Sequence, residues 1–90
     1  MDQREQQQQL LALGRAIREI RGERGMGVAQ LAAAAGVDLR RIAALEAGRL
    51  DPSYELLFAL AAALGVRASE FVVRAEALSV KREDRQETEG

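Results

Sequence analysis

Cysteine and histidine are missing from this 90-residue chain, and proline occurs once. Without cysteine there are no disulfides and no thiolate metal ligands. Without histidine there is no imidazole ligand and no ordinary general base near neutral pH. Carboxylates and a few hydroxyls are all that remain for chemistry, so neither an enzyme nor a cofactor or metal site is expected. Long apolar runs are missing as well: residues 56–64, the longest, reach about half the length that a bilayer-spanning helix needs. The N-terminus is polar and rich in glutamine, unlike the basic-then-apolar pattern of a secretory signal. A cytoplasmic protein is expected.

A surplus of positive charge is also lacking, since 13 basic residues face 14 acidic ones for a net charge of −1. A nucleic-acid-binding domain usually carries a basic face, so the distribution matters more than the sum. Residues 10–25 hold Arg15, Arg18, Arg21 and Arg24 against Glu19 and Glu23, residues 26–53 balance, and residues 54–90 are net acidic. Positive charge is therefore concentrated early in the chain.

The chain does have helical periodicity, punctuated by glycine. After residues 1–9, which hold no apolar residue beyond Met1, Leu10, Leu13, Ile17 and Ile20 recur at helical spacing and predict a first helix over about 8–24. Gly22 and Gly25 end that pattern. Val28–Ala35 reads as a two-turn helix closed by Gly36, and Asp38 is a good N-cap for a helix over 39–47. Asp51, Pro52 and Ser53 form a turn into a helix over Tyr54–Leu64, with Leu57, Leu60, Ala61 and Leu64 on one face and Gly65 at its end. A fifth amphipathic stretch follows over about 68–80. The expected architecture is all-α, with five helices in one domain spanning 10–80, a flexible and frayed extension over 1–9, and a charged flexible tail over 81–90.

Residues 27–46 have the plan of a helix-turn-helix: a short helix, a tight turn at Gly36, and a second helix able to enter a major groove. The stretches LGRAIREIRGERGM, QLAAAAGV, RRIAALEAGRLDPS and LLFALAAALGV occur in order around it. In sequence and spacing, residues 10–73 resemble the Cro/C1-type (XRE) helix-turn-helix family. That resemblance implies a five-helix, phage-repressor-like domain, usually dimeric, that binds double-stranded DNA as a transcriptional regulator through its third helix. It also implies an Arg21–Glu46 pair tying helix 1 to the end of helix 3, and a core that includes Leu31, Ala32, Val37, Ile42 and Leu45.

Helical geometry places the reader. With Ile42 and Leu45 pointing inward, Arg40 and Ala47 point outward, Ala43 and Ala44 lie beside them, and Leu39 and Arg41 flank the face. An arginine at 40 suits a bidentate contact to guanine, while Leu39, Ala43 and Ala44 suit thymine methyl groups. Arg49 lies where relatives contact phosphate, and Arg15, Arg18 and Arg41 add nonspecific attraction. Val28 and Gln30 at the start of helix 2, and Asp38 at the start of helix 3, complete the expected DNA-facing set. Two of these depart from the family, which commonly has Gln at the Val28 position and Ser or Thr at the Asp38 position. Surplus apolar residues, Leu56 and Phe58 on helix 4 and Val73, Leu78 and Val80 on helix 5, suggest a homodimer interface. The alternative is a protein-interaction module of the same fold, including an antitoxin-like one, with weak or no DNA binding.

Overall fold

The computed structural model describes residues 2–89, with side chains described as far as Ser79. These residues form five α-helices and no strand: α1 (Gln3–Glu23), α2 (Val28–Ala35), α3 (Leu39–Glu46), α4 (Tyr54–Leu64) and α5 (Ala68–Glu89). The bounds of α2 and α4 are those the periodicity predicts. Helix α1 starts five residues earlier than predicted, because Asp2 supplies a cap: its carboxylate accepts from the Glu5 backbone N–H at 2.8 Å. A polar stretch can thus be helical without burying anything, since a cap and glutamine's fair helix propensity suffice next to a packed helix. The side chains of Val80 and of the 81–90 tail lie outside what is described.

Ile17 and Ile20 of α1, Leu31 of α2, Ile42 and Leu45 of α3, Leu60 of α4 and Phe71 of α5 are all buried in one cluster. Each such side chain contributes roughly 1.5–3 kcal/mol on burial. Every helix sends at least one residue into this centre, so none is stable as a unit apart from the others. Leu56 belongs to it too, at 3% exposure, which removes it from the dimer-interface candidates. Leu56, Leu60 and Leu64 follow an i, i+4, i+8 row. With Ala61 they make the inward face of α4, while Leu57 is only half-buried beside them.

Helix α1 is enclosed on more than the side that its isoleucines mark. Ala12 and Ala16 meet Ala75 in a second small cluster, with Leu13 and Leu78 packed against it. Leu78 is therefore half-committed to its own chain. Alanines here let α1 and α5 approach closely, and Arg74 closes the seam. Its guanidinium donates to Glu23 Oε2 at 2.7 Å, to Glu23 Oε1 at 3.1 Å and to Glu19 Oε1 at 3.2 Å. These bonds hold the Glu23 carboxyl below the usual carboxylate range and raise the Arg74 pKa.

The tightest approach is at Gly14, in the middle of α1. A Cβ there would fall 2.7 Å from the Glu46 carbonyl oxygen and would also strike the Leu45 carbonyl oxygen. Both are backbone atoms at the end of α3 and cannot swing away. Gly22, in the same helix, has nothing within 4 Å of such an atom. Gly14→Ala is therefore expected to destabilise the fold by about 1–3 kcal/mol, and Gly22→Ala to stabilise it by up to about 1 kcal/mol through helix propensity alone. Urea unfolding of the two variants should shift the midpoint in opposite directions.

Candidate nucleic-acid interface

The turn between α2 and α3 is fixed by Gly36, whose φ of 68° lies in the left-handed region, where a side chain would cost roughly 1–2 kcal/mol. The Gly36 N–H and, at 3.0 Å, the Val37 N–H both return to the Ala32 carbonyl. The chain then enters α3 at Asp38, whose carboxylate accepts from the Arg40 N–H at 2.8 Å. This satisfies one free donor of the first turn and sets a negative charge at the positive end of the helix dipole.

Within α3, Ile42 and Leu45 are buried. Leu39, Arg40, Arg41, Ala43 and, just past the helix, Ala47 are exposed, and Ala44 is half-buried. The exposed face is thus the one predicted from the helical wheel, with Leu39 unusually open for its type at 42% exposure. Arg49 is exposed just beyond Gly48, and its N–H is held by the Ala44 carbonyl at 2.9 Å.

The pose of α3 depends on Arg21. Its Nε donates to Glu46 Oε2 at 2.8 Å, a terminal nitrogen donates to Glu46 Oε1 at 2.9 Å, and the other donates to the Met26 carbonyl at 2.9 Å. The two side chains are 17% and 11% exposed, so the bidentate pair is largely shielded from water and is stronger than a surface bridge. The hydrogen bonds that Arg21 donates to the Glu46 carboxylate are the main cause of its raised pKa. One guanidinium thereby joins the end of α1, the end of α3 and the loop that starts α2.

At the start of α2, Gly27 has no side chain to act as a cap, and Gln30 does the work from the other direction. Its Oε1 accepts from the Gly27 N–H at 2.8 Å, leaving its amide nitrogen to meet an outside acceptor. Val28 is half-buried and packs against the core. What the helix offers at this end is therefore its backbone N–H groups and the Gln30 amide, more than the Val28 side chain. Two participants carried no clear sequence signal. Gly14 lies inside a helical pattern, where an isolated glycine is tolerated and by itself marks no contact. Gln7, one of a glutamine run, donates from Nε2 to the Gly48 carbonyl at 3.2 Å and so braces the end of α3.

A helix-turn-helix family profile matches residues 17–71. The chain belongs to the Cro/C1-type (XRE) helix-turn-helix family. It is, with that family, a DNA-binding transcription regulator. Two crystal structures of the clp gene regulator ClgR from Corynebacterium glutamicum are similar to it. One is 32% identical with a TM-score of 0.77, covering 89% of this chain and 88% of that one. The other is 33% identical with a TM-score of 0.72, covering 77% and 90%. The restriction-modification controller protein C.AhdI from Aeromonas hydrophila is 29% identical with a TM-score of 0.68, covering 69% of this chain and 94% of that one. No curated protein sequence matches the chain significantly.

Asp38 stands at the start of α3, and the expectation that this end lies near a phosphate backbone makes its negative charge testable. Asparagine caps a helix about as well as aspartate, so Asp38→Asn should cost no more than the lost charge–dipole interaction, about 0.3–1 kcal/mol. It should tighten binding to any duplex by roughly fivefold, the effect of about 1 kcal/mol from two like charges about 4 Å apart in water. Fluorescence anisotropy on an unrelated duplex at low salt measures this, and unchanged affinity would place Asp38 away from the DNA.

Proposed function

We propose that the chain is a sequence-specific regulator of transcription that acts as a homodimer on double-stranded DNA in the cytoplasm, without cofactor or catalysis. The observation that carries this reading is the outward face of α3, with Arg40 at its centre and the helix held in place by the Arg21–Glu46 pair. In this reading α3 enters the major groove and Arg40 makes a bidentate contact to guanine O6 and N7. Leu39, Ala43 and Ala44 lie against thymine methyl groups. Arg41 and Arg49 take phosphates, as do Gln30 and the backbone donors around Val28, while Asp38 caps the reading helix. Among the described residues no single helix is long and apolar enough to cross a membrane.

For dimerisation the support is the apolar surface left on α4 and α5. Phe58 is 60% exposed and Val73 62%, with Val72 at 48%. Phe58 and Val72 also line a groove of about 580 Å³ between the two helices, together with Leu57, Ala61 and Val66. A two-fold dimer over these residues would set two α3 helices one DNA turn apart, about 34–36 Å. The alanines of α3 and the Asp38 charge favour the second reading, a protein-interaction module with weak DNA binding.

Selection of bound fragments from the source genome separates the two, since the module predicts no duplex preferred over random sequence at low salt. Among selected duplexes, Arg40→Ala should abolish preference at one base position and cost about 1–3 kcal/mol there. Arg49→Ala should weaken all sequences alike. Equal losses on every sequence for both variants would put the reader elsewhere. In sedimentation at tens of micromolar the wild type is expected as a dimer and Phe58→Asp/Val73→Asp as a folded monomer. A monomeric wild type would remove the α4/α5 interface.

A further inference from the structure

Arg4, Leu11, Arg15 and Arg18 share one line of α1. At about 100° per residue their directions fall within a sector of roughly 60°, and the line runs about 21 Å from Arg4 to Arg18 at 1.5 Å per residue. The acidic residues of the helix lie off it. Glu19 and Glu23 are turned toward α5, where Arg74 binds both, and Glu5 points in the same direction as Glu23, about 100° from Arg4. On the opposite flank Gln7, Gly14 and Arg21 face the end of α3.

Among the described residues the line of arginines is thus left with little compensation. Arg15 reaches Glu19 only at 4.0 Å and is largely exposed. Arg18 is exposed and has no ion pair among the described residues. Glu46 lies beside them but is already bound by Arg21. Arg15 and Arg18 line a shallow cleft of about 390 Å³ with Leu11, Leu78 and Ala47, so the stripe borders the turn that ends the reading helix. Gln7 fixes that border through the Gly48 carbonyl, one residue before Arg49.

We propose that this stripe on α1 is a second phosphate track, holding the DNA backbone where it passes the C-terminal turn of α3 and continuing the contact begun by Arg49. The inference rests on the DNA-binding reading and adds to it a surface outside the helix-turn-helix. A linear array about 21 Å long matches a repeating polyanion better than a small anion, which would occupy one point of it. Exposed guanidinium groups on a rigid helix carry charge to a backbone without reading bases.

The test is the salt dependence of duplex binding by the full chain, for Arg15→Gln/Arg18→Gln and for the triple variant with Arg4→Gln. Each lost phosphate contact should lower the slope of log K against log salt by about 0.9, so the double variant loses about 2 and the triple nearly 3. Selected and random duplexes should weaken by the same factor. Arg15→Lys/Arg18→Lys should keep the slope, and Arg4→Gln alone, at an exposed position in the first turn, gives a reading if the double variant fails to fold. An unchanged slope in variants of a wild type that binds duplex would overturn the track and leave the regulator reading intact. A wild type that binds no duplex would overturn both. Loss of base preference at constant slope would make these arginines readers and also overturn the track.

Discussion

The bidentate pair between Arg21 and Glu46, with the Met26 carbonyl as its third acceptor, is the contact on which the interface depends. Hydrophobic burial alone places α3 against the core through Ile42 and Leu45, but two residues on one stripe leave the helix free to rock and slide. The guanidinium is planar and its donors are fixed in direction, so three bonds define both the position and the tilt of the end of α3. The same group sets where the loop at Met26 delivers the N-terminus of α2. Removing either partner would leave the other largely buried and unpaired, which costs far more than the net worth of the pair.

This clamp works because α1 and α3 come close enough for short side chains to matter. Gly14 lets the carbonyls of Leu45 and Glu46 rest against the backbone of α1, and the closeness brings Glu46 within reach of Arg21 seven residues on. The other flank of α1 uses the same principle with alanine, at Ala12 and Ala16 against Ala75. Small residues on two flanks and isoleucines on a third make α1 the axis of the domain. Among the described residues its charges are sorted accordingly, with Glu19 and Glu23 toward Arg74 on α5 and Arg4, Arg15 and Arg18 exposed on another line.

Most of this fold was legible in the sequence because glycine and aspartate sit where helices must stop and start. Gly36, Asp38 and Gly65 set helix ends that a 3.6-residue apolar period then fills, and the face of α3 followed from two inward residues. Two features were less visible. The start of α1 has no apolar signal, and only the Asp2 cap shows where it begins. The inward face of α4 was misassigned around Leu56 because LLFALAAAL is apolar on nearly every side, so periodicity fits more than one face. The Arg21–Glu46 pair was legible only through family likeness, since 25 residues separate its partners and nothing local marks them.

A reading surface this poor in polar groups changes how specificity can arise. One bidentate arginine contact discriminates by about 1–3 kcal/mol, whereas specific sites exceed nonspecific ones by roughly 4–10 kcal/mol. In the proposed reading, a single α3 with Arg40 as its only long reader falls below that range, and methyl contacts from Leu39 and alanines add less than a hydrogen-bonding side chain would. Two copies across a symmetric site reach its lower part, because the contributions of both half-sites add. The remaining affinity must come from the phosphate backbone, which supplies binding without discrimination. In a chain of net charge −1, that requires cations gathered onto the side that meets the DNA, and the separation of arginine from glutamate around α1 is the gathering proposed for that role.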